Sequence, residues 1–135
     1  NWRDLGGGYG VITVVSREAG SGTRISYEQI VGDLLLTKEA IVQDSNGTIR
    51  ETVANDPNAV GYLSHGLLNE KIKAVTIDGV ACTNEAIQSN QYALARPIFL
   101  LTRVEPMPDT QAFIDYILSA EGQQTIQSSG LIPVK

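Results

Sequence analysis

The chain has 135 residues, 42% hydrophobic and 19% charged, with a formal net charge of −5, the composition of an ordinary globular protein long enough to bury a core. The acidic balance argues against nucleic acid or an anionic membrane surface as partner. No run approaches the roughly 20 apolar residues of a membrane span, so no direct membrane insertion is expected.

Asn1-Trp2-Arg3-Asp4 has neither the basic start nor the apolar stretch of a secretory signal. Gly6-Gly7-Gly8-Tyr9-Gly10 reads as a flexible connector into residues 11–15, a β-branched apolar run that predicts a buried strand of a layered α/β sheet. The stretch from Ser16 to Arg24 joins this strand to a helix predicted over roughly 22–36, where Ile25, Ile30, Val31, Leu34 and Leu35 recur at helical spacing. Tyr27 reads as a packing residue.

A loop in that position is a candidate anion cradle. The first N–H groups of a helix have no partner within it, and the aligned peptide dipoles leave about +0.5 charge there. Gly20 and Gly22 allow close backbone approach, Ser21 and Thr23 add hydroxyls, and Arg17 and Arg24 add forked cationic donors. A plain strand-to-helix turn rich in Gly and Ser accounts for the same letters. A nucleotide P-loop is excluded because no lysine follows Gly22, and a dinucleotide fingerprint because Ile25 stands where the third glycine belongs.

Residues 40–43 predict a short strand, and Asp44-Ser45-Asn46-Gly47 a turn that caps a helix starting near Thr48 and stopping before Pro57. Ser45 and Asn46 admit two readings: a satisfied cap, or a secondary anion contact at a second helix N-terminus converging on the same cleft. Residues 60–64 read as the next strand, with Gly61 allowing a neighbouring group to come close. His65, the single histidine, has no partners at ligand spacing and is expected as a solvated loop residue; no metal or cofactor is expected.

Residues 66–69 predict a helical turn, 72–77 alternate like a strand, and Asp78-Gly79 marks a tight turn. Cys82, the single cysteine, cannot close an internal disulfide and is expected as a buried, inert thiol. A short helix over 83–89, capped by Thr83 or Asn84, leads into a surface run from Gln91 to Arg96, with Arg96 read as solvated or as reaching the cleft. Pro97 introduces 98–102 as another buried strand. A helix from Pro108 through Ser119 carries Ala112, Phe113, Tyr116 and Ile117 on one face, and a second restarts at Ser119 and is terminated by Gly130. Strands alternating with helices predict a single α/β domain over 1–135, its sheet mixed but mostly parallel and flanked by helices, with one strand reversed.

Ser16-Arg17-Glu18-Ala19-Gly20-Ser21-Gly22-Thr23-Arg24 resembles the phosphate-binding loop of the periplasmic phosphate-binding proteins, the receptors of phosphate ABC importers. Asn1-Trp2-Arg3-Asp4-Leu5-Gly6-Gly7 is similar to the family's segment ahead of this strand, and Asn58-Ala59-Val60-Gly61-Tyr62-Leu63-Ser64 to its Gly-Tyr strand. Tyr92-Ala93-Leu94-Ala95-Arg96-Pro97-Ile98-Phe99-Leu100 resembles its Tyr-Pro-Leu-Ser-Arg-Pro run. Phe113-Ile114-Asp115-Tyr116-Ile117-Leu118-Ser119-Ala120-Glu121-Gly122-Gln123 and Gly130-Leu131-Ile132-Pro133-Val134 are similar to its C-terminal helix and its ending.

The resemblance covers nearly the whole chain and implies a type II periplasmic-binding-protein lobe. It implies inorganic phosphate as ligand, bound by Arg17 and by Gly20, Ser21, Gly22 and Thr23; Arg24, Ser45 and Asn46 stay candidates for secondary contacts on the reading of the residues alone. It also implies no reaction, no cofactor, and the membrane permease of an ABC transporter as partner. The implied location is periplasmic or extracellular, with an upstream signal and, as one means of anchoring, a lipoprotein N-terminus. Family members clamp the anion between two lobes, and this chain resembles the part from just after the first crossover to the C-terminus. It is therefore expected to be the second lobe plus the C-terminal segment, carrying one side of the site.

Some members carry Asp two residues after the arginine, where it accepts the proton of hydrogen phosphate. Here that position is Ala19, and the neighbouring Glu18 is expected to point elsewhere. Two other classes stay compatible with the residues: a serine hydrolase with Ser21 as nucleophile and His65 as base, although the glycine spacing of a nucleophile elbow is absent, and a phosphate-binding fold serving adhesion or signalling.

Overall fold

The computed structural model describes residues 1–32 and 34–134, so Asp33 of the predicted first helix and Lys135 at the end of the expected domain lie outside the described residues. The chain divides into two compact units, Asn1–Ala74 and Val75–Lys135.

In the first unit β1 (Thr13–Arg17), β2 (Ile41–Gln43) and β3 (Ala59–Gly61) form a sheet in the order β2-β1-β3. Both pairings are parallel, with Arg17 opposite Gln43 on one side of β1 and Thr13 opposite Ala59 on the other. Parallel neighbours need a crossover, and α1 (Gly22–Val31) and α2 (Asn46–Asn55) supply the two. Because β1 is central, its last three residues, Val15, Ser16 and Arg17, are all buried.

The core of this unit is small. Ile49 of α2 and Val15 of β1 are its largest fully buried apolar side chains, and α2 lies against all three strands. A Cβ on Gly61 would stand 3.1 Å from the Val15 carbonyl oxygen and 3.2 Å from Ile49 Cγ2. The close approach expected at this glycine is thus made by β1 and α2. Ser45 opens α2 with a capping box, its Oγ accepting the Thr48 N–H at 3.1 Å while Thr48 Oγ1 accepts the Ser45 N–H at 3.2 Å.

Three boundaries differ from the sequence pattern. β1 sits two residues later than the apolar run, because its register against β3 begins at Thr13. α1 stops at Val31 rather than near 36: Gly32 takes a left-handed φ of 88° and returns its N–H to the Glu28 carbonyl, leaving Leu34 and Leu35 exposed. The glycine run 6–10 is a closed loop rather than a loose connector. Asn1 Oδ1 accepts the N–H groups of Arg3 and Gly10, Trp2 N–H donates to the Gly10 carbonyl, and Trp2 Nε1 donates to the Asn58 carbonyl at 3.0 Å.

The second unit contains α3 (Asn84–Gln88), α4 (Pro108–Leu118) and α5 (Ala120–Ser128). Thr83 caps α3 and Gly130, at φ 81°, follows α5, both as the sequence predicts. Ser119 ends α4 and opens α5, accepting the Gly122 N–H and donating to the Tyr116 carbonyl. A side chain at 122 would collide with the Tyr116 and Ile117 carbonyl oxygens. Buried Gln123 then donates to the Ile117 carbonyl and accepts the Val134 N–H, which pins the tail. Tyr92, expected on the surface, is buried and donates its hydroxyl to the Val75 carbonyl at 3.0 Å. Cys82 is half-buried, and burial raises its thiol pKa.

Two apolar runs, 72–77 and 98–102, do not form the expected strands. Apart from an isolated bridge at Ile77, neither pairs with another segment among the described residues, and Ile98, Phe99 and Leu101 are exposed. A lone extended segment leaves its own N–H and C=O groups unpaired and its apolar face in water, so propensity alone does not form it. The reversed strand of a mixed sheet is also absent among the described residues. The sheet is parallel throughout, and antiparallel pairing is confined to the bridge of Ile77 with Val80 across the predicted Asp78-Gly79 turn, whose φ values are 50° and 82°.

With so few apolar side chains out of water, the core should be sensitive to single truncations. Ile49→Ala is expected to destabilise the protein by about 3 kcal/mol, read as a lower urea midpoint at unchanged slope; a loss below about 1 kcal/mol would show that Ile49 is not the keystone of this unit.

Candidate functional site

β1 and β2 run parallel and reach Arg17 and Gln43 in register, so the N-termini of α1 and α2 both follow strands that end on one edge of the sheet. The order β2-β1-β3 makes β1 the point where successive crossovers change direction. In open parallel sheets that carboxyl edge is where ligands bind.

The loop after β1 is braced from within. Glu18 N–H donates to the Gln43 carbonyl at 3.1 Å, Ser21 N–H to the Glu18 carbonyl at 3.3 Å, and Gly20 turns the chain at φ 89°. Buried Ser21 is the N-cap of α1, its Oγ accepting the Arg24 N–H. Among the described residues the N–H groups of Gly20, Gly22 and Thr23 have no hydrogen-bond partner. They are the donors that an oxyanion at a helix N-terminus would take.

Arg17 is only 8% exposed and its guanidinium is held on several sides. Nε and Nη2 each lie 2.9 Å from an oxygen of the Glu18 carboxylate, Nη1 donates to Asn46 Oδ1 at 3.0 Å, and Nη2 also reaches the Asp44 carbonyl at 3.3 Å. The paired hydrogen bonds raise the pKa of Arg17 and lower that of Glu18. Glu18 thus lies along Arg17 instead of pointing elsewhere, because a one-residue neighbour with a three-carbon reach can fold back onto the fork. Asn46 donates its other amide end to Ser64 Oγ at 3.2 Å, so its orientation is set by an acceptor and a donor together.

Arg24 does a different job. Its Nε donates to Glu28 at 2.7 Å, its Nη1 donates to the Arg17 carbonyl at 3.0 Å, and the Glu28 carboxylate raises its pKa. It fastens α1 to the end of β1. The Ser45 hydroxyl and N–H are both engaged in the capping box, whereas Asn46 is joined directly to Arg17.

Tyr62 and Ser64 were not singled out individually by the sequence. The Tyr62 hydroxyl lies 2.8 Å from Ser16 Oγ and accepts the Arg17 N–H at 3.3 Å, while its ring stacks on Tyr27 at 4.2 Å and 7°. Only the Gly-Tyr pair at 61–62 hinted at this, since the contact arises from β1–β3 pairing and not from spacing. Tyr27 is a packing residue, as read. Among the described residues no His/Cys/Asp/Glu cluster suited to a metal occurs, and no hydrogen bond joins Ser21 to His65. Arg96, in the second unit, is exposed.

A family model described as a PBP superfamily domain matches residues 1–121. The chain belongs to that family. The phosphate-binding protein PstS 2 of Streptococcus agalactiae is 38% identical over 136 residues, covering 93% of this chain and 46% of the relative. The phosphate-binding protein PstS of Bacillus subtilis is 33% identical over 136 residues, covering 99% of this chain and 45% of the relative. A phosphate ABC transporter substrate-binding protein from Clostridium perfringens, solved with bound phosphate, matches with a TM-score of 0.85 at 39% identity over 100% of this chain and 57% of that one. This PBP superfamily chain spans about half the length of the curated relatives it matches, and over that span its α/β fold is that of phosphate-binding proteins.

The Tyr62 hydroxyl is the acceptor of the Arg17 N–H and, with Arg24 on the Arg17 carbonyl, one of two side-chain ties to the β1 backbone at the start of the loop among the described residues. Tyr62→Phe is expected to cost about 1 kcal/mol and to speed hydrogen exchange at the Arg17 amide; exchange unchanged at Arg17 would mean that strand pairing and Arg24 hold the loop without Tyr62.

Proposed function

We propose that this chain is the second lobe and C-terminal segment of a receptor that binds inorganic phosphate for an ABC importer. The observations that carry the reading are the nearly buried Arg17 guanidinium, held at the first turn of α2, and the N-terminus of α1 that follows in the same loop, whose Gly22 and Thr23 N–H groups, with that of Gly20, have no partner among the described residues. Arg17, Gly20, Ser21, Gly22 and Thr23 hold the anion. Asn46 orients Arg17, and Arg24 and Ser45 keep the two helix starts in place. Hydrogen bonds to a charged group are worth about 1.5–3 kcal/mol each, so a handful suffices for firm binding.

The arrangement holds an oxyanion and does not transform it. Among the described residues no base is hydrogen-bonded to the Ser21 hydroxyl, so the receptor reading is preferred to hydrolysis. A permease in the membrane is the protein partner, and a periplasmic or extracellular location follows, with a lipoprotein anchor as one way of staying near it. No helix among the described residues is long and apolar enough to cross a membrane. The names of the relatives support phosphate as ligand and ABC transport as setting.

Calorimetric titration with phosphate tests this. The chain is expected to bind, and more weakly than the phosphate-binding protein of Bacillus subtilis, because it carries one side of the site. Arg17→Ala should abolish the binding, while Arg24→Ala should weaken it by a smaller factor through loosening of α1. A costlier Arg24→Ala would exchange the two roles, and affinity equal to that of the longer relative would refute the half-site.

A further inference from the structure

We propose that Glu18 is a tethered competitor for the anion: its carboxylate holds the Nε/Nη2 edge of Arg17, and an oxyanion that takes this edge displaces it. The inference rests on Arg17 being a ligand arginine. A guanidinium has five N–H donors, and its Nε/Nη2 edge is the planar fork that fits a carboxylate or a phosphate in the same bidentate way. Here both donors of that edge go to Glu18 at 2.9 Å, one Nη1 hydrogen goes to Asn46, and the remaining Nη2 hydrogen is directed to the Asp44 carbonyl. Carboxylate and phosphate cannot both occupy one fork.

Mobility separates the two partners. The Arg17 side chain is 10% exposed and braced by Asn46 and Asp44, whereas that of Glu18 is 40% exposed and its carboxylate is hydrogen-bonded to no other side chain among the described residues. Displacement therefore swings Glu18 into water and leaves Arg17 where it is. A nearly buried cation without a counter-charge is costly, and Glu18 supplies one from the adjacent residue. Once a doubly charged anion arrives, the same carboxylate becomes a like charge to be expelled. Glu18 then lowers affinity for phosphate and sulfate alike, since both are tetrahedral and both use the fork.

Glu18→Gln tests this, because glutamine keeps the shape but turns an amide N–H₂ toward a donor edge; Glu18→Ala is the second variant, in case glutamine keeps one hydrogen bond. Wild type and both variants are titrated by calorimetry with inorganic phosphate and with sulfate at pH 8. The expected result is that both variants bind both anions tighter, by roughly two- to fivefold. Weaker phosphate binding with sulfate unchanged would make Glu18 a proton acceptor and overturn the proposal. Unchanged affinities for both anions would overturn it as well. If wild type bound sulfate but not phosphate, the phosphate reading would fall while the sulfate arm still judged the exchange; if it bound neither, both would fall.

Discussion

A guanidinium taken almost wholly out of water has to be met by acceptors, and the placement of Arg17 organises the first unit for that reason. Its acceptors come from the residue beside it, from the carbonyl of Asp44 at the end of β2, and from Asn46 in the first turn of α2. Two of the three are non-local. They exist only because β1 and β2 pair in parallel with Arg17 opposite Gln43, so the loop after β2 is delivered to the arginine. Asn46 passes the constraint on to Ser64, and Tyr62 holds the Arg17 backbone from β3. One buried cation thereby fixes the ends of all three strands relative to one another.

That chain of contacts also marks where the sequence is readable and where it is not. Features with a local cause were legible: the caps at Ser45 and Thr83, the Asp78-Gly79 turn, the stop after α5, and the start of α1 at Gly22 all depend on residues a few positions apart. The run 98–102 was misread because a strand is a property of two segments, and no spacing within one reveals whether a partner exists. The first helix was overrun because Leu34 and Leu35 continue the apolar rhythm past Gly32, where a left-handed residue had already ended it. Tyr62 lies 46 residues from Ser16 and Ser64 lies 18 from Asn46, and only the folding of β3 beside β1 and α2 brings them together.

Glu18 shows a subtler limit. Its position next to Arg17 was visible, yet which way it turned depended on whether the arginine had enough other acceptors. Asn46 and the Asp44 carbonyl take the far side of the guanidinium, leaving the Nε/Nη2 edge to whatever carboxylate is nearest. Ala19 has none to offer, so Glu18 takes it.

The formal charge of −5 looks unsuited to the anion receptor proposed above, but net charge and local potential act over different distances. At physiological ionic strength charges more than about 8 Å apart on a surface are largely screened, so a recessed anion responds to the donors that touch it. On the reading proposed above, those donors would be backbone N–H groups at the start of a helix, which carry no formal charge and do not enter the count, together with one arginine whose charge is fixed at every accessible pH. Lysine in place of Arg17 would keep the charge and lose the geometry, since an ammonium offers neither the planar edge that Glu18 occupies nor a second face for Asn46 and Asp44 at the same time. What the site demands at position 17 is a donor array with three directions, and the sign of the chain as a whole is free to be set by solubility.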